Sequence, residues 1–331
     1  MNMFIDRMVP AFLTATFLFS TLIIPFTSTA AELTLSETIL NNLESEDPMV
    51  RLSAIQAAKS MNDPATLPVI LKMAYSDPVP EIRVQAIGVL WISGDQSAAR
   101  VLEKILVVDK NMEVKKAAAG ALGDVAQPSS ASFLVSTLNT TDDLSLTARC
   151  IRSIGKTGGP GAAVYLLPYL KEPHPDLIRG TAAEALGKMG SDKGASQLIA
   201  VLESDKNATV RSLAAKALGA LNQSASREPL ITGLLFDPSD VVRFRCAEAL
   251  SKFPLNPDIK QAFLSGLRDP DKRVRYVSLD SISPQIRDAD VTAVAVLLGD
   301  ETEGVRELAH QILSRRGAVL ERIGNRYRLV E

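Results

Sequence analysis

A 32-residue repeat runs through almost the whole chain and limits the folds that it can adopt. Each copy centres on an apolar residue followed by a polar one, as in Val210-Arg211, with small residues three and four places later and Leu at seven. A fixed period of this length indicates an architecture in which each unit packs only against its neighbours. The second members of the nine pairs are Arg51, Arg83, Lys115, Thr147, Arg179, Arg211, Arg243, Arg275 and Arg306.

The apolar spacing within each copy predicts a helix hairpin. Around Arg211 the positions at −1, +3, +4 and +7 fall on one face of a helix. Between successive Arg helices, leucines recur 19 and 23 residues after the Arg position, for example Leu198 and Leu202. A spacing of four places both leucines on one face of a second helix. We therefore predict an all-α, right-handed α-solenoid of about nine 32-residue hairpins.

Two residue types mark the expected ends of these helices. Asp lies six residues before the Arg position in six copies, and in three of them Pro follows it, which predicts the turn between helices. Each Arg is expected to pair with a loop Asp of its own or the adjacent repeat, giving a structural ladder. Gly directly follows the apolar residue at +7 in four copies, where we expect a left-handed helix C-terminus. These glycines are Gly123, Gly155, Gly187 and Gly219.

The first 31 residues lie outside the repeat and are typical of a cleaved secretory signal. Arg7 precedes an apolar run, 9–26, and small residues follow that run. A membrane anchor is the alternative, although the run is at the short limit for a span and contains Pro10 and Pro25. We expect residues 1–31 to be removed, which predicts an exported, periplasmic or secreted protein with no stable membrane insertion after cleavage.

The mature chain divides into a long solenoid and a short tail. The repeat pattern covers 32–315 and stops after it. In the tail, 316–331, Gly324-Asn325 lies between two alternating segments, a signal for a two-residue β-hairpin. An isolated hairpin is marginal in water, so we expect it to cover the end of the last repeat, where a solenoid needs a cap.

The shared pattern also resembles a known repeat. Asp-Pro-x-x-x-Val-Arg-x-x-Ala-x-x-Ala-Leu-Gly is similar to the short HEAT-like repeat of the phycobilisome-lyase type over about 36–315. The resemblance implies a family of scaffolds, adaptors and a few enzymes, in which the Arg-bearing helix usually lines the concave face.

Residues for catalysis, metal binding or nucleic-acid binding are sparse. The formal net charge of −2 gives no basic footprint for nucleic acid. His174 and His310 lack clustered partners, and neither starts the His-Glu pair with which deoxyhypusine hydroxylases of this fold hold iron. Cys150 and Cys246 occupy the same offset three repeats apart, too far for a disulfide. We expect no metal, no cofactor and no catalytic residue.

A partner-binding surface is predicted on the seventh and eighth repeats. Positions +1 and +5 of each Arg helix are expected to face the groove, and exposed aromatic residues are enriched at binding hot spots. Phe244 and Tyr276 share the +1 offset one repeat apart, although inward packing of both rings is the alternative. The candidate residues are Phe244, Arg245, Glu248, Tyr276 and Asp280.

The function predicted from these features is an exported, non-catalytic scaffold or adaptor that binds a protein or peptide partner along one face of the solenoid. The alternative is an enzyme similar to the bilin lyases, which attach or isomerise a chromophore. Bound pigment in the purified protein would favour the enzyme, and a colourless protein with a protein partner would favour the scaffold.

Overall fold

A computed structural model describes residues 28–93, 96–125, 127–324 and 326–330. In these residues the chain forms seventeen α-helices, several short 3₁₀ helices and one two-stranded antiparallel sheet. The helical elements alternate as nine pairs along the chain, which confirms the predicted all-α solenoid. Most of the predicted signal segment, 1–27, lies outside the described residues. Within them, no helix is both long and apolar enough to cross a membrane.

Each pair consists of a first helix and a second helix that carries the Arg position. The first helices, numbered in chain order, are α1 (Ser28–Leu43), α3 (Leu67–Ser76), α5 (Gln96–Val108), α7 (Ala131–Leu138), α10 (Ala195–Ser204), α12 (Arg227–Phe236), α14 (Pro257–Gly266) and α16 (Asp288–Ala295). The second helices are α2 (Pro48–Met61), α4 (Pro80–Ser93), α6 (Met112–Val125), α8 (Leu144–Thr157), α9 (Asp176–Met189), α11 (Ala208–Leu221), α13 (Asp240–Leu250), α15 (Lys272–Ile282) and α17 (Glu303–Arg315).

The fifth repeat departs from this pattern. Its first helix is replaced by two 3₁₀ helices, Pro160–Tyr165 and Leu167–Leu170. Pro160 opens the first of them, and Pro168 has no backbone N–H to donate within the second. The sequence therefore carries the leucine spacing of a helix here, but its prolines favour short, tight turns.

Side-chain caps set the starts of several second helices. The side chains of Asp47, Asp143, Asn207 and Asp271 each accept a hydrogen bond from a backbone N–H in the first turn of the helix that follows. These bonds satisfy donors that have no partner inside the helix, which stabilises each start by about 1 kcal/mol.

The glycines after the +7 position do not end helices, contrary to expectation. Gly187 lies inside α9, which continues to Met189 and ends at Gly190, where φ is +63°. A Cβ on Gly187 would lie 2.7 Å from the Cα of Ala217 in α11. Gly155 and Gly219 make equally close approaches to the next second helix. The glycines are needed because the second helices pack backbone against backbone, not because the chain turns there.

This close packing fixes which row of helices lies inside the curve. Successive second helices contact one another extensively, whereas successive first helices touch at fewer points. A stack bends toward the row whose members lie closer together. The second helices, with their Arg positions, therefore form the inner row, in agreement with what the family resemblance implies.

The tail forms the predicted hairpin. Strands β1 (Leu320–Ile323) and β2 (Arg326–Leu329) pair antiparallel, with Leu320 opposite Leu329 and Ile323 opposite Arg326. Strand β2 contacts α17 and the 3₁₀ helix Val296–Gly299 of the ninth repeat. The ring of Tyr327 packs on His310, with ring centroids 4.1 Å apart. The hairpin thus covers part of the apolar end of the stack.

Both cysteines are buried, and no disulfide joins them, as predicted. Cys150 lies in α8 and Cys246 in α13, each at the small-residue position of its second helix. Burial raises the pKa of the Cys150 thiol to about 12 and the pKa of Cys246 further still. Neither thiol ionises near neutral pH, so they act as small core residues.

Candidate partner-binding surface

The Arg positions of the inner row tie successive repeats together. Arg243 on α13 holds Asp269 of the next repeat through two hydrogen bonds, Nε to Oδ2 at 2.7 Å and Nη2 to Oδ1 at 3.0 Å. Its Nη1 donates to the carbonyl oxygen of Asp237 in its own repeat. The same arrangement, with distances of 2.7–3.1 Å, is present at Arg51–Asp77, Arg83–Asp109, Arg179–Asp205, Arg211–Asp237 and Arg275–Asp300.

The ladder shows which Asp each Arg binds, a choice between its own and the adjacent repeat that the sequence left open. Each guanidinium takes the carboxylate of the adjacent repeat and the backbone of its own, so every rung bridges a repeat boundary. The carboxylate also caps the loop behind it, as Asp269 Oδ1 accepts the N–H of Asp271 at 2.8 Å. Two-point Arg–carboxylate pairs of this kind fix orientation as well as distance. The inner row therefore presents a rigid surface.

The ladder is interrupted in the middle of the stack. Lys115 replaces Arg in the third repeat, and Thr141 replaces the Asp of the fourth repeat that an Arg at this position would bind. In the next rung Thr147 of the fourth repeat and Pro173 of the fifth occupy the Arg and Asp positions, so both charges are lost together. Thr147 Oγ1 donates instead to the carbonyl of Asp143 at 3.0 Å. The continuous ladder from Arg179 onward therefore supports the seventh and eighth repeats.

Phe244 lies at the boundary between the seventh and eighth repeats. Its side chain is half-buried and packs against the core. The guanidinium carbon of Arg273, on α15, lies 4.9 Å from the ring centroid, and that of Arg245 lies 5.4 Å away. Both distances are within the range of cation–π attraction. Phe244 is thus partly a packing residue, intermediate between the inward and outward placements that the sequence allowed.

Arg273 is itself held by carboxylates. It donates to Asp271 and, across the repeat boundary, to Asp240 at 3.1 Å. The hydrogen bond from Arg273 lowers the pKa of Asp271 to about 2, against the opposing effect of burial. The sequence analysis did not single out Asp240, Asp271 or Arg273. Arg273 could have been found from its place in the repeat, two residues before Arg275.

Tyr276 is the more exposed of the two aromatic residues, with 45% of its surface accessible. Its ring lies beside Gly304 on α17, since a Cβ on that glycine would be 4.0 Å from Tyr276 Cε2. The two contacts are equivalent. In each, the aromatic residue directly after one Arg position lies against the residue two places before the next Arg position, Arg273 for Phe244 and Gly304 for Tyr276. Both rings therefore lie across repeat boundaries.

Of the three predicted charged residues, Arg245 lies against the Phe244 ring, while Glu248 and Asp280 lie four residues after Phe244 and Tyr276 on the same helices. Arg245 and Glu248 form an ion pair with each other on α13, and both are half-exposed. Asp280 is exposed on α15. We call Phe244, Arg245, Glu248, Tyr276 and Asp280 the aromatic surface; its role in binding stays a prediction.

The +1 position does not face solvent in every repeat, contrary to expectation. Ala148, Gly180 and Ser212 are buried there between neighbouring second helices. Larger side chains at +1 extend outward and are at least partly exposed, in the first three repeats (Leu52, Val84 and Lys116) as well as in the last three (Phe244, Tyr276 and Glu307). The exposure of Tyr276 therefore reflects its size as much as its offset.

The described residues contain no group of three or more His, Cys, Asp or Glu side chains that could hold a metal ion. The protein is an α-solenoid built from helix hairpins, as its nine helix pairs and its ladder of Arg–Asp bonds show. A family model described as HEAT repeats matches residues 36–111, 70–146, 100–187, 134–219 and 195–283. The chain belongs to the HEAT-repeat family.

Solved structures with this fold share little sequence with the chain. Kap95p, in a structure describing its binding to RanGDP, is 15% identical with a TM-score of 0.60, covering 86% of this chain and 46% of its own. The complex of CpcE and CpcF of phycocyanin lyase from Nostoc sp. PCC7120 is 18% identical, with a TM-score of 0.43, covering 68% and 91%. Human deoxyhypusine hydroxylase is 21% identical, with a TM-score of 0.36, covering 76% and 97%. A search of curated proteins returns no match.

Proposed function

We propose that this protein is an exported, non-catalytic HEAT-repeat scaffold that binds a protein or peptide partner through the aromatic surface. The observation that carries the proposal is the exposed ring of Tyr276 on the inner row, one repeat after Phe244. Tyrosine offers a large contact area with few rotatable bonds and a polar tip, the properties of a hot-spot anchor.

The surroundings of the ring suit a protein partner. The Arg–Asp rungs at Arg243 and Arg275 hold α13, α15 and α17 in register, so ordering this surface on binding costs little entropy. Arg245 supplies a positive charge, while Glu248 and Asp280 supply negative ones. A polar rim of both signs around an aromatic centre is typical of protein interfaces and gives orientation to the bound segment.

Tyr276→Ala is expected to weaken partner binding by about 2 kcal/mol or more, roughly 30-fold in Kd. The partner is first identified with a photo-reactive residue at position 276 in the native compartment, and its affinity is then measured with purified proteins. Because the ring is exposed, helicity and melting temperature should stay nearly unchanged.

A matched control is Tyr75→Ala. Tyr75 is 39% exposed on the first helix α3, with the ammonium of Lys104 lying 4.3 Å from its ring centroid. This substitution removes an exposed tyrosine beside a cation, but from another repeat and the other row of helices, so affinity should not change. Equal affinity losses in both variants, or none at position 276, would rule out the aromatic surface.

Export is the second part of the proposal and has its own test. The support for it is the apolar run 9–26 behind Arg7, followed by small residues. N-terminal sequencing of the native protein should find a first residue near position 32, in the fraction outside the cytoplasm. A first residue of Met1 or Met8 in membrane fractions alone would contradict export by cleavage.

A further inference from the structure

We propose that Arg306 forms a second binding site, specific for a single carboxylate of a peptide segment, at the C-terminal end of the solenoid. This site lies on the ninth repeat and does not depend on the aromatic surface. Six other arginines of this chain occupy the same position in their repeats, and each of them binds a carboxylate there.

Arg306 is oriented like the other six. Its Nη1 donates to the carbonyl oxygens of Asp300 at 2.7 Å and Glu301 at 3.0 Å. Arg275 makes the equivalent bonds to Asp269 and Pro270, both at 2.9 Å. The guanidinium of Arg306 is therefore anchored from behind by its own loop, as in every complete rung.

The forward edge of Arg306 has no acceptor among the described residues. In the other rungs Nε and Nη2 bind the Asp of the next repeat, whereas in the described residues α17 is followed by strands β1 and β2. The residue is nevertheless only 8% exposed, the same fraction as Arg275 with its carboxylate in place. A desolvated guanidinium without a counter-charge is costly, so this edge favours an incoming carboxylate.

The edge of Arg306 is nearly, but not completely, closed to solvent. Within the described part of the chain, the side-chain polar atoms that are fully buried and have no hydrogen-bond partner are Ser226 Oγ and Ser278 Oγ. No nitrogen atom of Arg306 is fully buried in this way. Nε and Nη2 therefore keep some contact with solvent, and it is from this side that a ligand would approach.

The surroundings limit what the ligand can be. The hairpin packs on α17 and the 3₁₀ helix before it, through Tyr327 and Leu329, so a further repeat of a second solenoid cannot stack there. Glu303 and Glu307 are exposed on α17 and disfavour a highly acidic ligand. The site therefore fits one Asp or Glu side chain flanked by neutral residues, as in the Asp-Pro turns of this chain.

A tetrapeptide copied from residues 76–79 provides the probe. In the chain, Ser76-Asp77-Pro78-Val79 presents Asp77 to Arg51, and Asp77 Oδ1 accepts the N–H of Val79 at 2.9 Å. The acetylated and amidated peptide Ser-Asp-Pro-Val is titrated into the full-length protein labelled with ¹⁵N at arginine. The same peptide with Asn in place of Asp is the matched control.

The Arg306 Nε–H resonance, assigned by its loss in Arg306→Lys, should shift saturably with a Kd of about 1–10 mM. The Asn peptide should bind at least about tenfold more weakly, because it offers no charge to the guanidinium. The Nε–H resonance of Arg275 should not move, since its carboxylate is already in place.

Three outcomes would overturn the proposal. They are no shift of the Arg306 resonance at tens of millimolar peptide, equal shifts with the Asp and Asn peptides, and equal shifts at Arg275 and Arg306. The comparison of the two peptides is made on the unmodified protein, and Arg306→Lys serves only to assign the resonance.

Discussion

Asp205→Ala is expected to lower the free energy of unfolding by about 3–5 kcal/mol. Asp205 receives Nε and Nη2 of Arg179 at 2.7 and 2.8 Å and also accepts the N–H of Asn207. The two charged side chains are only 5% and 6% exposed. Removing the carboxylate leaves the buried guanidinium with only the largely exposed carboxylate of Asp176, 2.8 Å from Nη2, as a counter-charge. Urea unfolding followed by circular dichroism measures the loss.

The matched control is Glu44→Ala. Glu44 and Lys72 also pair across a repeat boundary, but at 4.0 Å and with both side chains mostly exposed. Such a pair contributes less than about 1 kcal/mol. The double substitution of Arg179 by Met and Asp205 by Ala should cost less than the sum of the single ones, because it leaves no unpaired charge. A loss at Asp205 no larger than that at Glu44 would contradict the structural role of the ladder.

The same carboxylate gives the stability a dependence on acid. Burial alone would raise the pKa of Asp205, but the hydrogen bonds from Arg179 and Asn207 outweigh it and lower the pKa below the ordinary value of 3.8. A carboxyl with a depressed folded-state pKa contributes its full stabilisation above the unfolded value and loses it as the pH falls through the folded value. Between about pH 5 and 3, unfolding of Asp205→Ala should therefore depend less on pH than unfolding of the unmodified protein.

Gly187→Ala is expected to lower the free energy of unfolding by about 2 kcal/mol. The added Cβ would lie 2.7 Å from Ala217 Cα and 2.8 Å from Ala217 Cβ, so α9 and α11 must move apart. Helix propensity alone would stabilise the Ala variant by about 1 kcal/mol. The variant is less stable only because the cost of separating the two helices is larger than this gain. Thermal melting and urea unfolding both measure the difference.

Gly88→Ala is the control for this substitution. Gly88 lies within α4, and a Cβ there would meet no atom within 4 Å. Without a clash, only the propensity term acts, and the variant should be as stable as the unmodified protein or up to about 1 kcal/mol more stable. A stabilised Gly187→Ala would mean that the second helices do not approach as closely as the structure shows.

The sequence by itself determined the architecture of this protein. The 32-residue period, the leucine spacing and the Asp six residues before the Arg position predicted the solenoid and the ladder. The Gly324-Asn325 signal predicted the terminal hairpin. Short-range spacing is sufficient for these features because helix and hairpin formation depend on residues only a few positions apart.

The tertiary structure decided what lies between the repeats. It showed that the guanidinium of Arg211 binds the carboxylate of Asp237 in the next repeat, 26 residues ahead, and not that of Asp205 in its own repeat. It changed the explanation of Gly187 from a helix end to a contact between helices, and it showed that Phe244 is shared between packing and surface. These contacts depend on the distance and rotation between neighbouring hairpins, which the packed side chains of both repeats set together. Only the folded stack shows that Arg306 has the same orientation as the other arginines of the ladder, although the last Asp of the ladder, Asp300, is bound by Arg275.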